Sequence, residues 1–423
     1  MRPVTVGTKG VDAYARLVGE EKIDEIRRLA EPLRGARVLH VNATAYGGGV
    51  AEILSNLVPL MNDVGLEALW YVLDARDPTF FDVTKRIHNA LQGMPLDLSD
   101  QMRELFLETD RANAAQLPDV DFVIAHDPQA IALRHFASAS EASWAWRCHI
   151  DLTDAYTPVW SFLRPYVEAH DAAIFTMPQF AQPDLTLDRI VFSAPSIDPF
   201  TEKNGPLAAD DARAIVAAFR LDPARPLLVQ VSRFDPWKDP NGVIDAYRRV
   251  KAEIPEVQLA LIGSLADDDP EGKDFLARSI AHAAGDPDVR CLTDLDGVRD
   301  REVNAFQRSA TVVIQKSLRE GFGLVVAEAL WKGIPVVGGA VGGIPLQIVD
   351  GETGYLVRTV EECAERCLRL LRDADLRSRM GAAGHERVRG EFLITRDLRD
   401  HLRLFSDLRA AKGAVGGTRA RVG

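Results

Sequence analysis

The chain has 423 residues, of which 47% are apolar and 26% charged, and its formal net charge at pH 7 is −12. This length exceeds that of a usual single core, so two domains are expected. The acidic balance argues against nucleic acids and membrane surfaces as partners, because both attract a basic face, although a local basic pocket stays open. The sequence has no apolar run that would span a bilayer and no apolar signal core at its N-terminus, which together predict a cytoplasmic protein.

The first half of the chain alternates short apolar runs with helix-like segments. A strand is predicted at Arg37 to Asn42, then a loop at 43–49, an amphipathic helix at about 50–64 and a strand at 68–73. Later strands of this half are predicted at 121–125, 146–150, 172–176 and 190–193. Strands that alternate with helices imply right-handed βαβ units and a parallel sheet.

A second series of strands begins at 227–232 and continues at 257–262, 289–292, 311–315 and 335–338. The segment 194–206 between the two series holds three prolines and no periodicity, which is typical of a linker. The pattern predicts an α/β protein of two Rossmann-like domains. The first spans 1–200 and is completed by a C-terminal helix at about 391–411, the second spans 201–390, and 412–423 is expected to be a disordered tail. Parallel sheets that face one another would line a central cleft with the carboxyl ends of their strands.

The four cysteines are few for a chain of this length, which suits a reducing compartment. Cys363 and Cys367 stand four residues apart on a predicted helix, a spacing that a metal site also uses. No nearby histidine or cysteine completes a set of four ligands. Reduced thiols are therefore the preferred interpretation, and no metal site is predicted.

The strongest chemical signal is the segment from Ser317 to Gly323, which is followed by Glu328. It is predicted to be a glycine-rich turn between a strand and a helix, with Glu320 in the turn and Glu328 on one helix face. The start of such a helix offers backbone N–H groups and a positive dipole end to an anion. Carboxylates accept hydrogen bonds from hydroxyls. A sugar attached to a nucleoside diphosphate needs both kinds of contact.

Candidate binding residues follow the first strand of each half. They are glycines in the first half and cations in the second. Arg233 and Lys238 come after the strand 227–232 and suit a diphosphate, although a solvated basic pair is the plain alternative. Gly47, Gly48 and Gly49 come before the first long helix, where backbone can approach a ligand closely. A flexible loop is the alternative interpretation of these glycines.

Histidines mark the ends of two predicted strands of the first half. His149 and Asp151 end one of them, and the pair His126 and Asp127 ends another. A histidine at the carboxyl end of a parallel strand is as often a ligand contact as a structural residue. A polar face on the helix near 85–92 is also open to two interpretations, a solvated surface or a grip on a sugar, and it comprises Lys85, His88, Asn89 and Gln92.

These motifs resemble the retaining nucleotide-sugar glycosyltransferases of family 4, which have the GT-B architecture of two Rossmann-like domains. The resemblance rests on Glu320-Gly-Phe-Gly with Glu328, together with Arg233 and Lys238, and it extends from Arg37 to Leu408. The segments NATAYGGGVAEIL, HNALQG, HDPQA, WRCHIDLT and PSIDPFTEKN are similar to those of the trehalose glycosyltransferring synthases in that family. The retaining trehalose phosphorylases have similar segments and are the alternative.

The resemblance implies a reversible reaction in which NDP-glucose and D-glucose give α,α-trehalose and NDP with retention of configuration. Arg233 and Lys238 would neutralise the leaving diphosphate, Glu328 would hold the ribose, and His149 would bind the donor sugar near its C6 hydroxyl. The donor glucose itself would contact a set of residues from both halves, namely Glu320, Gly321, Phe322, Gly323, Leu324, Gly48 and Gly49.

The acceptor glucose is placed by the same resemblance near Asp151, His88 and Gln92. No metal or cofactor is expected to be required, since two cations face the leaving group, and Mg²⁺ is left open as a stimulant. A homodimer is left open as well. A third hypothesis, a hinged sugar-binding protein without catalysis, has no use for Arg233, Lys238 and the glutamate pair together.

Overall fold

The computed structural model describes residues 1–263 and 270–419 of the chain. The chain folds into two compact units, one formed by Met1–Ser196 with Ile394–Gly423 and the other by Ile197–Leu393. The predicted division lay between residues 200 and 201, a few residues beyond this boundary.

The first unit is built on a seven-stranded sheet in the order β1-β3-β2-β4-β5-β6-β7. All neighbours in it are parallel except the short β1, which pairs antiparallel with β3. The central strands β2, β4, β5 and β6 are buried almost throughout, as strands covered by helices on both faces require, whereas β3 and β7 are partly exposed. The strands are β1 (Arg2–Pro3), β2 (Arg37–Asn42), β3 (Glu67–Val72), β4 (Phe122–His126), β5 (Ser143–Arg147), β6 (Ala172–Phe175) and β7 (Ile190–Phe192).

Seven helices of the described residues lie between these strands or before them. The longer ones are amphipathic, and their apolar faces join a core that includes Phe80, Phe106, Trp144 and Trp146. The helices are α1 (Ala15–Val18), α2 (Glu20–Ala30), α3 (Gly49–Asp63), α4 (Thr79–Leu91), α5 (Asp100–Ala114), α6 (Leu133–Phe136) and α7 (Thr157–Val167).

The second unit is built on a fully parallel six-stranded sheet in the order β10-β9-β8-β11-β12-β13. Its strands are β8 (Leu227–Val231), β9 (Gln258–Gly263), β10 (Val289–Thr293), β11 (Val312–Gln315), β12 (Val336–Gly339) and β13 (Gly354–Val357). Numbered from β8, this is the strand order 3-2-1-4-5-6 of the doubly wound Rossmann fold. The strand order reverses between β8 and β11, so the loops after these two strands lie side by side.

The helices of the second unit surround a core that includes Phe234, Tyr247 and Leu259. They are α8 (Ala209–Ala218), α9 (Pro240–Glu253), α10 (Pro270–His282), α11 (Asp300–Ser309), α12 (Leu324–Trp331), α13 (Ile344–Gln347), α14 (Val360–Arg372) and α15 (Ala374–Glu391).

The last helix returns the chain to the first unit. This helix, α16 (Ile394–Arg419), is tied to the end of β7 because Arg396 Nη1 donates to Ser193 Oγ at 2.8 Å. Ser196 Oγ also donates to Asp397 Oδ2 at 2.9 Å. The tail from residue 412 was expected to be disordered, whereas the helix continues through Arg419.

Most predicted strands lie within three residues of the observed ones, and one shift changes the site. The strand predicted at 146–150 is β5, which ends at Arg147, so His149 lies in the loop after the strand. Two short strands, β1 and β13, were not predicted. All four cysteines are free thiols. Within the described residues, no helix is both long and apolar enough to cross a membrane.

Candidate functional site

The loop after β8 is held in shape by its own aspartates. Asp235 accepts hydrogen bonds from the backbone N–H groups of Trp237 at 3.0 Å and of Lys238 at 3.1 Å. Asp239 adopts a left-handed backbone conformation with φ of 49° and caps α9 by accepting from Gly242 N. Arg233 is exposed, and its guanidinium lies 3.0 Å from Asp235 Oδ2. The two predicted cations therefore stand on a rigid loop.

Lys238 and Glu320 meet where the loops after β8 and β11 run side by side. Lys238 Nζ donates to Glu320 Oε2 at 2.7 Å. The same carboxylate oxygen accepts from Ser317 Oγ at 3.1 Å and from Gln315 Nε2 at 3.2 Å. Three donors on one oxygen fix the Glu320 side chain, while 15% of the Lys238 side chain stays exposed. The parallel topology thus joins two residues that are 82 positions apart.

The turn after Glu320 is packed tightly against a second glycine-rich loop. Gly343 N donates to Glu320 O at 3.1 Å, and a Cβ on Gly343 would lie 2.5 Å from Gly321 O and 2.7 Å from Phe322 Cα. Gly323 has a positive φ of 81° and precedes α12, whose start has no side-chain cap. Val326 N donates to Gly323 O at 2.9 Å, so the N–H groups of Leu324 and Val325 are the donors that the start of α12 offers near the loop of Lys238. Sequence reasoning missed Gly343, although the Gly-Gly pair after β12 was visible.

Glu328 lies on α12 and has no exposed surface. Its Oε1 atom is 2.9 Å from Lys203 Nζ, and its Oε2 atom accepts from Gln307 Nε2 at 3.2 Å. Burial pushes the pKa of this carboxyl upward, but the ammonium groups of Lys203 and Lys332 outweigh burial, and the net pKa is lowered. Glu328 is therefore a buried anion held by cations. Lys203 lies in the segment PSIDPFTEKN but was not singled out as a site residue, and Gln307 carries no motif that would have identified it in the sequence.

The glycine loop of the first unit follows β2 and opens α3. Asn42 Nδ2 donates to Thr44 O at 2.7 Å, and Gly47 has a positive φ of 80°. A Cβ on Gly47 or Gly48 would meet nothing within 4 Å, so no protein atom crowds this loop. Gly48 caps α3 without a side chain. β2 and β4 are the strands between which the order of this sheet reverses, so this loop adjoins the end of β4.

His149 lies in the loop after β5 and is anchored by Asp127. The backbone N–H of His149 donates to Asp127 Oδ1 at 2.8 Å, and Trp146 Nε1 donates to Asp127 O at 2.9 Å. Asp127 has φ of 59° and ψ of −178°, a conformation that costs a residue other than glycine on the order of 1–3 kcal/mol. Part of Asp127 remains exposed, but its carboxyl group is enclosed by protein, and this burial raises its pKa to about 7. The strained backbone and the buried carboxyl group of Asp127 therefore both belong to the contact that positions His149.

The residues predicted for the acceptor lie in the same unit. Asp151 is buried and accepts from Thr153 N at 3.0 Å, so it also shapes the loop after β5. That loop continues to Tyr156, whose N–H donates to Ala90 O near the end of α4. His88 lies half-buried on α4, and Gln92 follows that helix as a buried C-cap. The loop after β5, which contains Asp151, is therefore hydrogen-bonded to the end of α4, where His88 and Gln92 lie.

The structure combines two Rossmann-type sheets with an ion pair and an uncapped helix start at a topological switch point. These are features of the GT-B glycosyltransferases. Residues 211–387 match the family "Glycosyl transferases group 1", and this range contains Arg233, Lys238, Glu320 and Glu328. Residues 40–182 match "Trehalose synthase, N-terminal domain".

Individual relatives agree with these matches. A trehalose synthase of Pyrococcus horikoshii is 48% identical over 406 residues, which are 95% of this chain and 97% of the relative. A trehalose phosphorylase of Pleurotus pulmonarius is 28% identical over 82% of this chain, but the match spans 54% of that enzyme. A sucrose-phosphate synthase structure from Thermosynechococcus elongatus has the same fold, with a TM-score of 0.70 and 19% identity over 89% of this chain and 100% of that one. The chain belongs to the trehalose synthase family of group 1 glycosyltransferases.

Proposed function

We propose that the protein is a retaining glucosyltransferase that makes α,α-trehalose reversibly from NDP-glucose and D-glucose. The observation that carries the proposal is the contact between Lys238 and Glu320 at the switch point of the second sheet. It places a cation for a phosphate beside a carboxylate for sugar hydroxyls. The family membership directs this chemistry toward trehalose.

The leaving diphosphate is the group on which negative charge grows. Lys238 and Arg233 stand on one rigid loop, and the first N–H groups of α12 lie at the neighbouring loop. Fixed cations and dipoles aimed at a developing charge stabilise the transition state more than the ground state. In this proposal Lys238 and Arg233 do the work that a metal does elsewhere, and no metal is required. Whether Mg²⁺ stimulates the reaction is a separate question for the assay.

The donor is held by carboxylates, backbone and one imidazole. Glu320 and the backbone of 321–324 bind the hydroxyls of the donor glucose, and Gly48 and Gly49 approach it with bare backbone. His149 binds the donor near its C6 hydroxyl. Glu328 holds the ribose hydroxyls, and because its side chain is covered by Lys203, this role requires the ribose to share or displace that contact. The acceptor glucose lies near Asp151, His88 and Gln92.

Retention of configuration is proposed to follow from attack on the same face that the diphosphate leaves. The acceptor hydroxyl then gives its proton to the departing phosphate oxygen, and no protein carboxylate forms a bond to the sugar. Water has to be kept out, because hydrolysis of the donor is the competing reaction. A cytoplasmic location stays a prediction, and a homodimer is left to measurement.

The test is a donor panel. Purified protein is incubated with glucose and ADP-, UDP- or GDP-glucose, and in parallel with trehalose and inorganic phosphate. We expect a non-reducing disaccharide with α,α linkage from at least one nucleotide donor. No trehalose from any of them would refute the proposal. Glucose 1-phosphate formed from trehalose and phosphate without nucleotide would instead identify a trehalose phosphorylase, and binding of sugar without turnover would identify a binding protein.

A further inference from the structure

A row of three histidine rings runs across the first sheet and ends at His149. Nδ1 of His40 lies 3.0 Å from Nε2 of His126, and Nδ1 of His126 lies 3.0 Å from Nε2 of His149. The ring centroids are 5.4 Å apart in both pairs, and the ring planes differ by 30° and 16°. The rings therefore meet edge to edge, with each nitrogen in line with the next, as a hydrogen bond requires.

The register of the sheet explains the row. His40 on β2 is opposite Ile124 on β4, and His126 is two residues farther along the same strand. His126 is opposite Arg147 on β5, and His149 is again two residues farther along the chain. A step of two residues keeps a side chain on the same face of a strand. The three rings therefore climb one face of the sheet diagonally toward the carboxyl ends of the strands.

All three rings are in conditions that keep them neutral. Burial lowers the pKa of His40 to about 3. Burial also lowers the pKa values of His126 and His149 well below the ordinary value, and the charge of Arg147 adds to the effect. A neutral imidazole has one N–H and one bare nitrogen. In a row of neutral rings, the hydrogen position on one ring therefore fixes that on the next.

The interior end of the row indicates which direction the hydrogen bonds take. Nε2 of His40 is buried and has no hydrogen-bond partner. A buried N–H without an acceptor costs free energy, and a bare nitrogen at this position avoids burying that donor. The nearby His401 offers no bond, because its own Nε2 is also without a partner. His40 then carries its hydrogen on Nδ1, donates to His126, and His126 donates in turn to Nε2 of His149.

We propose that His40 and His126 are positioning residues that fix the tautomer of His149, so that its Nδ1 carries the hydrogen and donates to a hydroxyl oxygen of the bound sugar. The contacts described for the His149 ring involve Nε2, so Nδ1 is the atom left for a ligand. The sugar contact rests on the function proposed above, whereas the tautomer itself does not. An imidazole N–H held in one direction would bind a sugar hydroxyl oxygen that accepts no other hydrogen bond.

The tautomer can be measured without any assay of activity. In protein labelled with [¹⁵N]histidine, long-range ¹H–¹⁵N spectra at pH 7.5 separate protonated from bare ring nitrogens, and a His149→Gln variant assigns the signals. We expect His149 to have Nδ1 protonated and Nε2 bare. The reverse assignment in the unmodified protein would overturn the proposal by itself, whether or not any variant folds.

The relay is tested by a substitution that does not touch His149. In His40→Phe, the ring of His126 loses its donor and can reverse, so the His149 signals should shift toward the Nε2–H form that neutral histidine favours in water. His126→Leu should have the same effect. The matched control is His170→Phe, since His170 is a buried histidine outside the row that bonds to Tyr166 O. His149 signals that are unchanged in His40→Phe and His126→Leu would exclude the relay.

Kinetics separate the relay from the proposed reaction. His126→Leu should lower kcat/KM for NDP-glucose about tenfold, the effect of one hydrogen bond to substrate. With NDP-xylose, which lacks the C6 hydroxyl, the same substitution should have little further effect. An equal loss with both donors would mean that His126 only maintains the fold. If no trehalose forms at all, the proposed function fails while the spectra still decide the tautomer.

Discussion

The two units of the chain hold their site residues by opposite physical means. In the second unit the side chains are charged and paired, as in Lys238 with Glu320 and Lys203 with Glu328. In the first unit they are neutral imidazoles joined to each other, and His149 is anchored by a strained aspartate. Under the proposed function, the second unit supplies the charges that face the diphosphate together with carboxylates for hydroxyls, whereas the first unit contributes a neutral imidazole to the donor sugar.

The largest effect that this comparison predicts is the loss of Lys238. Lys238→Ala should lower kcat about 10³-fold, because the charge that it faces develops during the reaction, while KM for the acceptor should stay within about threefold. Steady-state kinetics of trehalose formation measure both. Lys251→Ala is the matched control, since Lys251 also pairs with carboxylates, those of Asp286 and Asp288, away from the loop after β8. An unchanged kcat in Lys238→Ala would show that Lys238 does not stabilise the charge that develops in the reaction.

The second prediction concerns the buried anion of the second unit. Glu328→Gln should raise KM for the donor by about 10- to 100-fold with a smaller change in kcat, because it replaces a charged carboxylate by a neutral amide with one acceptor oxygen, and the carboxylate acts in the ground state and the transition state alike. It should also lower the free energy of unfolding by about 3–5 kcal/mol, since Lys203 would lose its buried partner. Donor titrations and urea unfolding measure the two effects. A change confined to KM for the acceptor would place Glu328 elsewhere.

A third prediction uses the close packing of two loops. Gly343→Ala would push a methyl group into Gly321 O and Phe322 Cα, so the turn that binds the donor sugar must move. We expect a loss of about tenfold or more in kcat/KM, since small displacements of positioning groups are costly. Gly390→Ala is the control, because this glycine of α15 has open space around its Cβ and should gain stability in the helix. Equal activity in both variants would mean that the turn can adjust.

The smallest effect is a pH dependence of stability in the first unit. The pKa of Asp127 is raised from 3.8 to about 7 by burial, so the folded protein binds this proton more tightly than the unfolded chain does. The stability that this proton contributes is fully present below about pH 4 and is lost as the pH rises toward 7. Asp127→Asn should therefore gain on the order of 2 kcal/mol relative to the unmodified protein between pH 5 and pH 8.

Urea unfolding at several pH values measures this difference. Asp12→Asn serves as the control, because Asp12 forms an exposed pair with Arg27 that contributes little at any of these pH values. A constant difference between Asp127→Asn and the unmodified protein from pH 5 to pH 8 would mean that the Asp127 carboxyl does not titrate in this range.

The second unit was the easier one to predict from sequence, and the reason is physical. Glu320, Arg233 and Lys238 are charged residues in the loops after apolar strands, Glu328 lies on the helix that follows one of these loops, and a parallel sheet brings the ends of such strands to one edge. Their local pattern was enough to group them. The pairing of Glu328 with Lys203 and Gln307 was not predictable, because these two residues come from segments far from Glu328 in the sequence.

The first unit depends on register, which the sequence does not state. His126 and His149 were visible as histidines at strand ends, but β5 ends at Arg147 rather than at Ile150. His40 fell within the predicted strand from Arg37 to Asn42 and was not singled out. Only the pairing of β2 with β4 and of β4 with β5 aligns the three rings on one face. A shift of one residue in either pairing would have placed them on opposite faces.

Lys238 is proposed to stabilise the charge of the departing diphosphate, and equilibrium binding can measure this stabilisation. The product NDP carries an extra negative charge on the phosphate that was bonded to the sugar. Isothermal titration calorimetry measures the Kd of NDP, which has this charge, and of NDP-glucose, which lacks it. Both ligands are titrated into the unmodified protein and into Lys238→Ala. We predict that Lys238→Ala raises the Kd of NDP at least tenfold and the Kd of NDP-glucose less than threefold. An equal change in both values, or no change in either, would contradict the claim.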